Sequence, residues 1–128
     1  MAQLTPPERH PVLVIEDEPV LRLDALAMVE QAGFEGIEAL DVDDAIRTLE
    51  TRPDIRIVYM DLDMPRGVQG IELAAAIRDR WPPIEIILTA ATFSRENLSL
   101  PVRAEFFAKP FRRSDAVATM QRMMEGHA

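Results

Sequence analysis

The sequence predicts an α/β protein, a (βα)5 fold in which a doubly wound parallel five-stranded sheet carries helices on both faces. Three observations predict it. Short apolar, partly β-branched runs alternate with segments whose apolar residues recur at helical spacing. Four of the five runs end in side chains capable of chemistry: Glu16-Asp17, Asp61, Thr89 and Lys109. The chain has 128 residues, 48% hydrophobic and 28% charged, which suits one globular domain with a single core.

The elements follow in order. Residues 1–10, with Pro6, Pro7 and the polar Glu8, Arg9 and His10, read as a loose leader, and the domain itself is expected over 11–125 with a short tail at 126–128. Val12-Leu13-Val14-Ile15 is the first strand. Pro19 suits the first turn of a helix in which Leu21, Ala25, Met28 and Ala32 recur, and Gly33 stops it. Gly36-Ile37-Glu38-Ala39-Leu40 is a weaker second strand. Asp41 or Asp43 caps the next helix, with Ala45, Ile46 and Leu49 on its apolar side. Pro53 precedes the third strand, residues 55–60, a mostly apolar run that meets Asp61 abruptly; Pro65 then stops any regular continuation. Gly70 opens a helix with Leu73, Ala74, Ile77 and Trp81 on one face, ended by Pro82-Pro83. Ile84-Glu85-Ile86-Ile87-Leu88 is strand four and Glu105-Phe106-Phe107-Ala108 strand five. Between them, residues 91–103 contain Ser94, Asn97, Ser99 and Pro101 and predict a fourth helix that is short or irregular. Ser114 or Asp115 caps a last helix whose inner face includes Val117, Met120 and Met124.

Charge and composition exclude several functions. A net charge of −8 and a pI near 4.7 argue against sequence-independent nucleic-acid binding and against attraction to anionic membranes. With no cysteine, disulfides, thiolate metal sites and cysteine nucleophiles are excluded. There is neither a signal-peptide core nor an apolar run of membrane-spanning length, so a cytoplasmic location is expected.

In a parallel sheet all strand ends lie on one edge, where ligand crevices form. Glu16, Asp17 and Asp61 therefore converge there. Two unit charges ~4 Å apart at an effective dielectric of about 20 repel by roughly 4 kcal/mol, so either protons or a cation must relieve the cluster. Hard oxygen ligands without Cys or His suit Mg²⁺, with Mn²⁺ as a substitute. A lysine and a threonine hydroxyl opposite the carboxylates are the partners of a phosphoryl group. The chemistry read from these residues is phosphoryl transfer to a carboxylate, with Asp61 as covalent acceptor.

From about Val12 to Met124 the chain resembles the receiver domains of bacterial two-component response regulators, a flavodoxin-like fold. The resemblance rests on the acidic pair Glu16-Asp17, the segment Asp61-Leu62-Asp63-Met64-Pro65, Thr89-Ala90, Phe106 and Lys109-Pro110. It implies that Asp61 is the phosphoacceptor, and that Glu16, Asp17, Asp61 and Asp63 (the last by its backbone carbonyl) hold Mg²⁺. It implies that Thr89, Ala90 and Lys109 bind the phosphoryl group, and that Thr89 and Phe106 form a coupled switch remodelling the surface around strand five. Three features depart from the family pattern: a longer loop Arg66-Gly67-Val68-Gln69 before Gly70, a short stretch with Pro101 between Thr89 and Lys109, and a switch aromatic, Phe106, that lacks a hydroxyl. Met64-Pro65, Ile77-Arg78-Asp79-Arg80-Trp81-Pro82-Pro83 and Phe106-Phe107-Ala108-Lys109-Pro110 resemble a stand-alone, single-domain subgroup with no output domain.

The expected partners are a sensor histidine kinase or phosphotransfer protein and a downstream protein target, with no direct DNA binding. Should a second copy bind, the face of strand five and the last helix is the expected surface. The protein is expected to be no enzyme beyond weak self-phosphorylation from small donors and self-dephosphorylation. Two alternatives compete: a haloacid-dehalogenase-type phosphatase using Asp61 as nucleophile and Asp63 as acid/base, and a receiver-like interaction scaffold without phosphorylation. A flavodoxin-like binding module is poorer, because no Gly/Ser/Thr-rich phosphate loop follows strand one. Glu18 reads as a helix-start acid favoured by the dipole. His10 and His127 lie in the tails, and Arg112-Arg113 is too short a run to suggest nucleic acid.

Overall fold

Five parallel strands form one sheet in the order β2-β1-β3-β4-β5. The computed structural model describes residues 9–63, 67–91 and 104–126. In these, β1 (Pro11–Ile15), α1 (Pro19–Gln31), β2 (Glu35–Ala39), α2 (Val42–Thr51), β3 (Ile57–Asp61), α3 (Gly67–Arg80), β4 (Glu85–Ala90), β5 (Ala104–Ala108) and α4 (Arg113–Glu125) follow in order, strand and helix alternating up to β4. The short or irregular helix expected within 91–103, the leader 1–8, Met64-Pro65 and His127 lie outside the described residues. None of the helices described is long and apolar enough to cross a membrane.

Every residue of β1 and β3 is buried, because both strands are covered on both faces. On one face Leu13, Ile15, Val58, Met60, Ile86 and Leu88 pack with Ala45 and Leu49 of α2 and Leu73, Ala74 and Ile77 of α3. On the other, Val12, Val14, Ile57, Tyr59 and Ile87 pack with Ala25, Met28 and Val29 of α1 and Ala116, Met120 and Met123 of α4. The strand order reverses between β1 and β3, which opens the crevice at their carboxyl ends.

Local signals explain most boundaries. Asp41 caps α2, accepting the Asp44 N–H at 2.8 Å. Gly33 ends the α1 region at φ 95°, a left-handed conformation that glycine adopts without steric cost. Several expectations are corrected. Leu21 is 47% exposed, and α1 buries Ala25, Met28 and Val29 instead. Residues 67–69 belong to α3 rather than to a loop, so Gly70 lies inside that helix. A Cβ there would stand 3.1 Å from Leu62 Cδ2, so the glycine allows a close helix–strand approach. Neither Ser114 nor Asp115 caps α4; the helix starts from Arg112, which makes no side-chain cap bond, and Asp115 sits in the first turn. On α4, Met123 is buried and Met124 only partly so, a rotation of one residue from the predicted face. Strand four runs on to Ala90, held by the Asp61–Thr89 register and the Leu62 N–H donating to the Thr89 carbonyl at 2.7 Å.

Candidate functional site

The carboxyl ends of β1, β3, β4 and β5 bring Glu16, Asp61, Thr89 and Lys109 to one edge. Asp61 is the last residue of β3 and is 4% exposed. Both its oxygens are engaged: Oδ1 accepts the Asp63 N–H at 2.8 Å, and Oδ2 accepts Lys109 Nζ at 2.8 Å. Lys109 also lies 3.3 Å from Asp63 Oδ2. Burial works against its charge, but the hydrogen bond and charge of Asp61, then those of Asp63, outweigh burial and hold its pKa above the ordinary lysine value. Lys109 is placed by its own N–H, which extends the β4–β5 ladder to the Ala90 carbonyl at 2.9 Å. The Lys109-Pro110 peptide is cis.

Glu16 continues β1 toward β2, its N–H donating to the Ala39 carbonyl at 3.1 Å. Its side chain is buried, the residue being 5% exposed, and Asp61 and, more weakly, Asp17 act on its carboxyl. Burial first, then the hydrogen bond and charge of Asp61, push its pKa from 4.5 to about 8. Glu16 is thereby held toward its protonated form. Asp17 is exposed at the mouth. Glu18 serves as the α1 cap, accepting the Val20 and Leu21 N–H groups at 3.2 and 2.8 Å.

Thr89 sits beside Asp61 in the β3–β4 register. Its hydroxyl is buried and has no hydrogen-bond partner among the described residues. Such a group costs about 1–3 kcal/mol. The buried Tyr59 phenol approaches it without completing an aligned bond; burial, then the charge of Asp61, raise the Tyr59 pKa. Ala90 is fully buried in the α2–α3 core. Phe106, three residues before Lys109 on β5, is half-buried against the same core, while Phe107 faces the other side and packs on Phe111 with ring centroids 5.4 Å apart.

Asp63 follows Asp61 by two residues and joins two strand ends. Its Oδ2 accepts the Ala91 N–H at 2.6 Å and faces Lys109, so the carboxylate ties the β3 end to the β4 end.

The donor chemistry fits a hard divalent cation. The buried carboxyls of Glu16 and Asp61, with the exposed Asp17 next in sequence, offer only oxygen ligands. Among the described residues no three His, Cys, Asp or Glu side chains come together as a metal-holding group, so Glu16, Asp17, Asp61 and Asp63 do not form a closed four-carboxylate cage.

Two contributors were not foreseen. Tyr59 reads in sequence as plain strand core. Arg22 does not stand out in the sequence, yet its Nη1 donates to the Glu16 carbonyl at 3.1 Å. A basic residue one helical turn past an acidic loop was the available signal.

Four apolar side chains, Val20, Leu21, Leu23 and Leu40, are exposed on or beside the start of α1 and the end of β2, at the same edge as the acids.

Comparison with known proteins agrees with this geometry. The family model described as the response regulator receiver domain matches residues 12–121. Transcriptional regulatory protein PdtaR of Mycobacterium tuberculosis is 34% identical over 116 residues, covering 86% of this chain and 54% of that protein. Phosphate regulon transcriptional regulatory protein PhoB of Escherichia coli is 32% identical over 117 residues, covering 88% of this chain and 51% of that protein. The chain thus spans about half the length of these curated relatives. Among solved structures, a receiver domain protein from Clostridium thermocellum superposes with a TM-score of 0.82 at 21% identity, covering 91% of this chain and 95% of that one. The receiver domain of the Francisella response regulator 1452 gives 0.81 at 21% identity, covering 94% and 100%.

Proposed function

The chain belongs to the response regulator receiver domain family, and from that premise we propose that it accepts a phosphoryl group onto Asp61 from a histidine kinase or phosphotransfer protein and thereby switches a protein-binding surface. The observation that carries this reading is the buried Asp61 carboxylate held between Lys109 and the Glu16 carboxyl. An Asp61 oxygen attacks the phosphorus of a phosphohistidine, an O–P bond forms, the N–P bond breaks, and the imidazole leaves to take up a proton. Lys109 offsets the charge that gathers on the phosphoryl oxygens. Glu16, Asp17, Asp61 and the Asp63 carbonyl are the groups to hold Mg²⁺, which when bound neutralises phosphoryl charge. The unpartnered Thr89 hydroxyl is the donor waiting for a phosphoryl oxygen, and its displacement opens space toward Phe106. The switch is then a difference in affinity of the phosphoryl group for two packings of the β4–β5 edge. The exposed Val20, Leu21, Leu23 and Leu40 give a macromolecular donor an apolar rest beside the pocket. The setting proposed is the bacterial cytoplasm.

The test is to incubate the protein with Mg²⁺ and a small acyl phosphate and weigh it intact. One phosphoryl mass per chain is expected, lost in EDTA and in Asp61→Asn. No gain, a gain that survives Asp61→Asn, or sustained multiple turnover of a phosphomonoester contradicts the proposal.

A further inference from the structure

We propose that Arg22 is the positioning residue of the acidic pocket: it pins the β1–α1 loop so that Glu16 and Asp17 are presented to a divalent cation, and the affinity of the pocket for that cation depends on it. This rests on the reading of the pocket as a Mg²⁺ site and adds to it a residue outside the ligand set.

The loop Glu16-Asp17-Glu18 carries three successive acids. Glu16 is buried while Asp17 and Glu18 are exposed, so the backbone of the loop has to be anchored for Asp17 to keep one direction. Arg22 reaches back along α1, and its Nη1 donates to the carbonyls of Glu16 at 3.1 Å and Asp17 at 3.4 Å. These two carbonyls belong to the peptide planes on either side of the Asp17 Cα. Fixing both planes fixes the direction in which the Asp17 side chain leaves the backbone. On its other side the guanidinium faces β2, with Nε 3.5 Å from Glu38 Oε2. Among the described residues Nε completes no hydrogen bond, although it is buried. The side chain is only 15% exposed, in a residue type that usually lies in solvent. A planar fork of donors spans loop and strand at once, which a lysine ammonium does not. Glu16 is held in addition by the Glu18 N–H donating to its Oε2 at 3.1 Å, so the loop conformation depends on Arg22 most at Asp17.

A guanidinium beside a cation site has two effects of opposite sign. Its charge opposes a second cation; its hydrogen bonds organise the ligands. If charge dominated, neutralising Arg22 would tighten Mg²⁺ binding. If position dominates, as proposed, neutralising it loosens binding.

The experiment is calorimetric titration of Mg²⁺ into the whole chain and into Arg22→Gln and Arg22→Lys, with melting in EDTA as the control for folding. Arg22→Gln is expected to weaken Mg²⁺ about tenfold, the lower end of what groups behind a metal's direct ligands contribute. Arg22→Lys, which keeps the charge and loses the fork, is expected to weaken it too. Labelling by a small acyl phosphate should return to the wild-type rate at saturating Mg²⁺ in both. Glu38→Gln leaves the clamp half-held and is expected to weaken binding about threefold, the size of an exposed ion pair; it carries the test if neither Arg22 variant folds. Folded Arg22 variants that bind Mg²⁺ as tightly as wild type, or more tightly, overturn the proposal. So does unchanged affinity in Glu38→Gln when the Arg22 variants do not fold. A wild-type chain that binds no Mg²⁺ overturns the reading of the pocket itself, and this proposal with it.

Discussion

Replacing Glu16 by glutamine should stabilise the metal-free protein at neutral pH, although it removes a residue of the proposed site. Glu16 is buried against Asp61, and its pKa stands near 8 in the folded chain against 4.5 for the unperturbed group. The folded state therefore holds the Glu16 proton more tightly than the unfolded chain does. The sign follows: this group leaves stability intact below about pH 4.5, erodes it as pH rises toward 8, and changes nothing further above that. From 4.5 to pH 7 is about 2.5 units, and at roughly 1.36 kcal/mol per unit the loss at pH 7 is about 3 kcal/mol. Burial of the carboxyl is the largest cause of that loss, with the hydrogen bond and charge of Asp61 adding to it. The substituted glutamine keeps the shape and never ionises. In urea unfolding followed by circular dichroism in EDTA, Glu16→Gln and wild type should be about equally stable near pH 4.5, with the variant ahead by about 3 kcal/mol at pH 7. Mg²⁺ at tenfold excess over its Kd should restore about 1.4 kcal/mol to wild type and less to the variant. A stability difference that does not change between pH 5 and 8, or a variant less stable than wild type at pH 7 in EDTA, would refute the reasoning.

Other outcomes follow from the same structure. Thr89→Val removes a buried hydroxyl without a partner among the described residues and should raise unphosphorylated stability by about 1 kcal/mol in urea unfolding, while uncoupling Phe106 from Asp61 phosphorylation. Lys109→Met strips Asp61 Oδ2 of its cation and should slow labelling by a small acyl phosphate about 100-fold or more, as for loss of a donor to developing oxyanion charge; the time course of intact mass reads it. Met120→Ala empties a fully buried position between α4 and the sheet and should cost about 2–5 kcal/mol in the same unfolding assay.

Much of this architecture was legible in the sequence because strands covered on both faces must be continuously apolar, and a charged residue that ends such a run marks the sheet edge. Asp61, Lys109 and Glu16 were found that way. Gly33 and Asp41 were legible because a left-handed turn and a helix cap each need a particular residue type. What sequence did not show depends on neighbours. Strand four extends through Thr89 because β3 pairs with it there, and a one-dimensional pattern carries no register. Leu21 and Met124 were misplaced because near helix ends a one-residue rotation, about 100°, exchanges inside for outside. Gly70 was read as a helix start because its actual constraint, the Leu62 side chain, comes from another element. Arg22 was missed because its partners are chiefly backbone carbonyls, which every sequence contains.

That Asp61 is the phosphoacceptor is tested most directly by locating the label. The protein is phosphorylated with a small acyl phosphate and Mg²⁺, reduced at once with borohydride, digested and sequenced by mass spectrometry. Hydride displaces the phosphate of an aspartyl phosphate and leaves homoserine. Homoserine at position 61, and an unchanged Asp63, is the result predicted. A phosphate that resists reduction and maps to a serine, threonine or histidine, or homoserine at Asp63 or Asp17 instead, contradicts it.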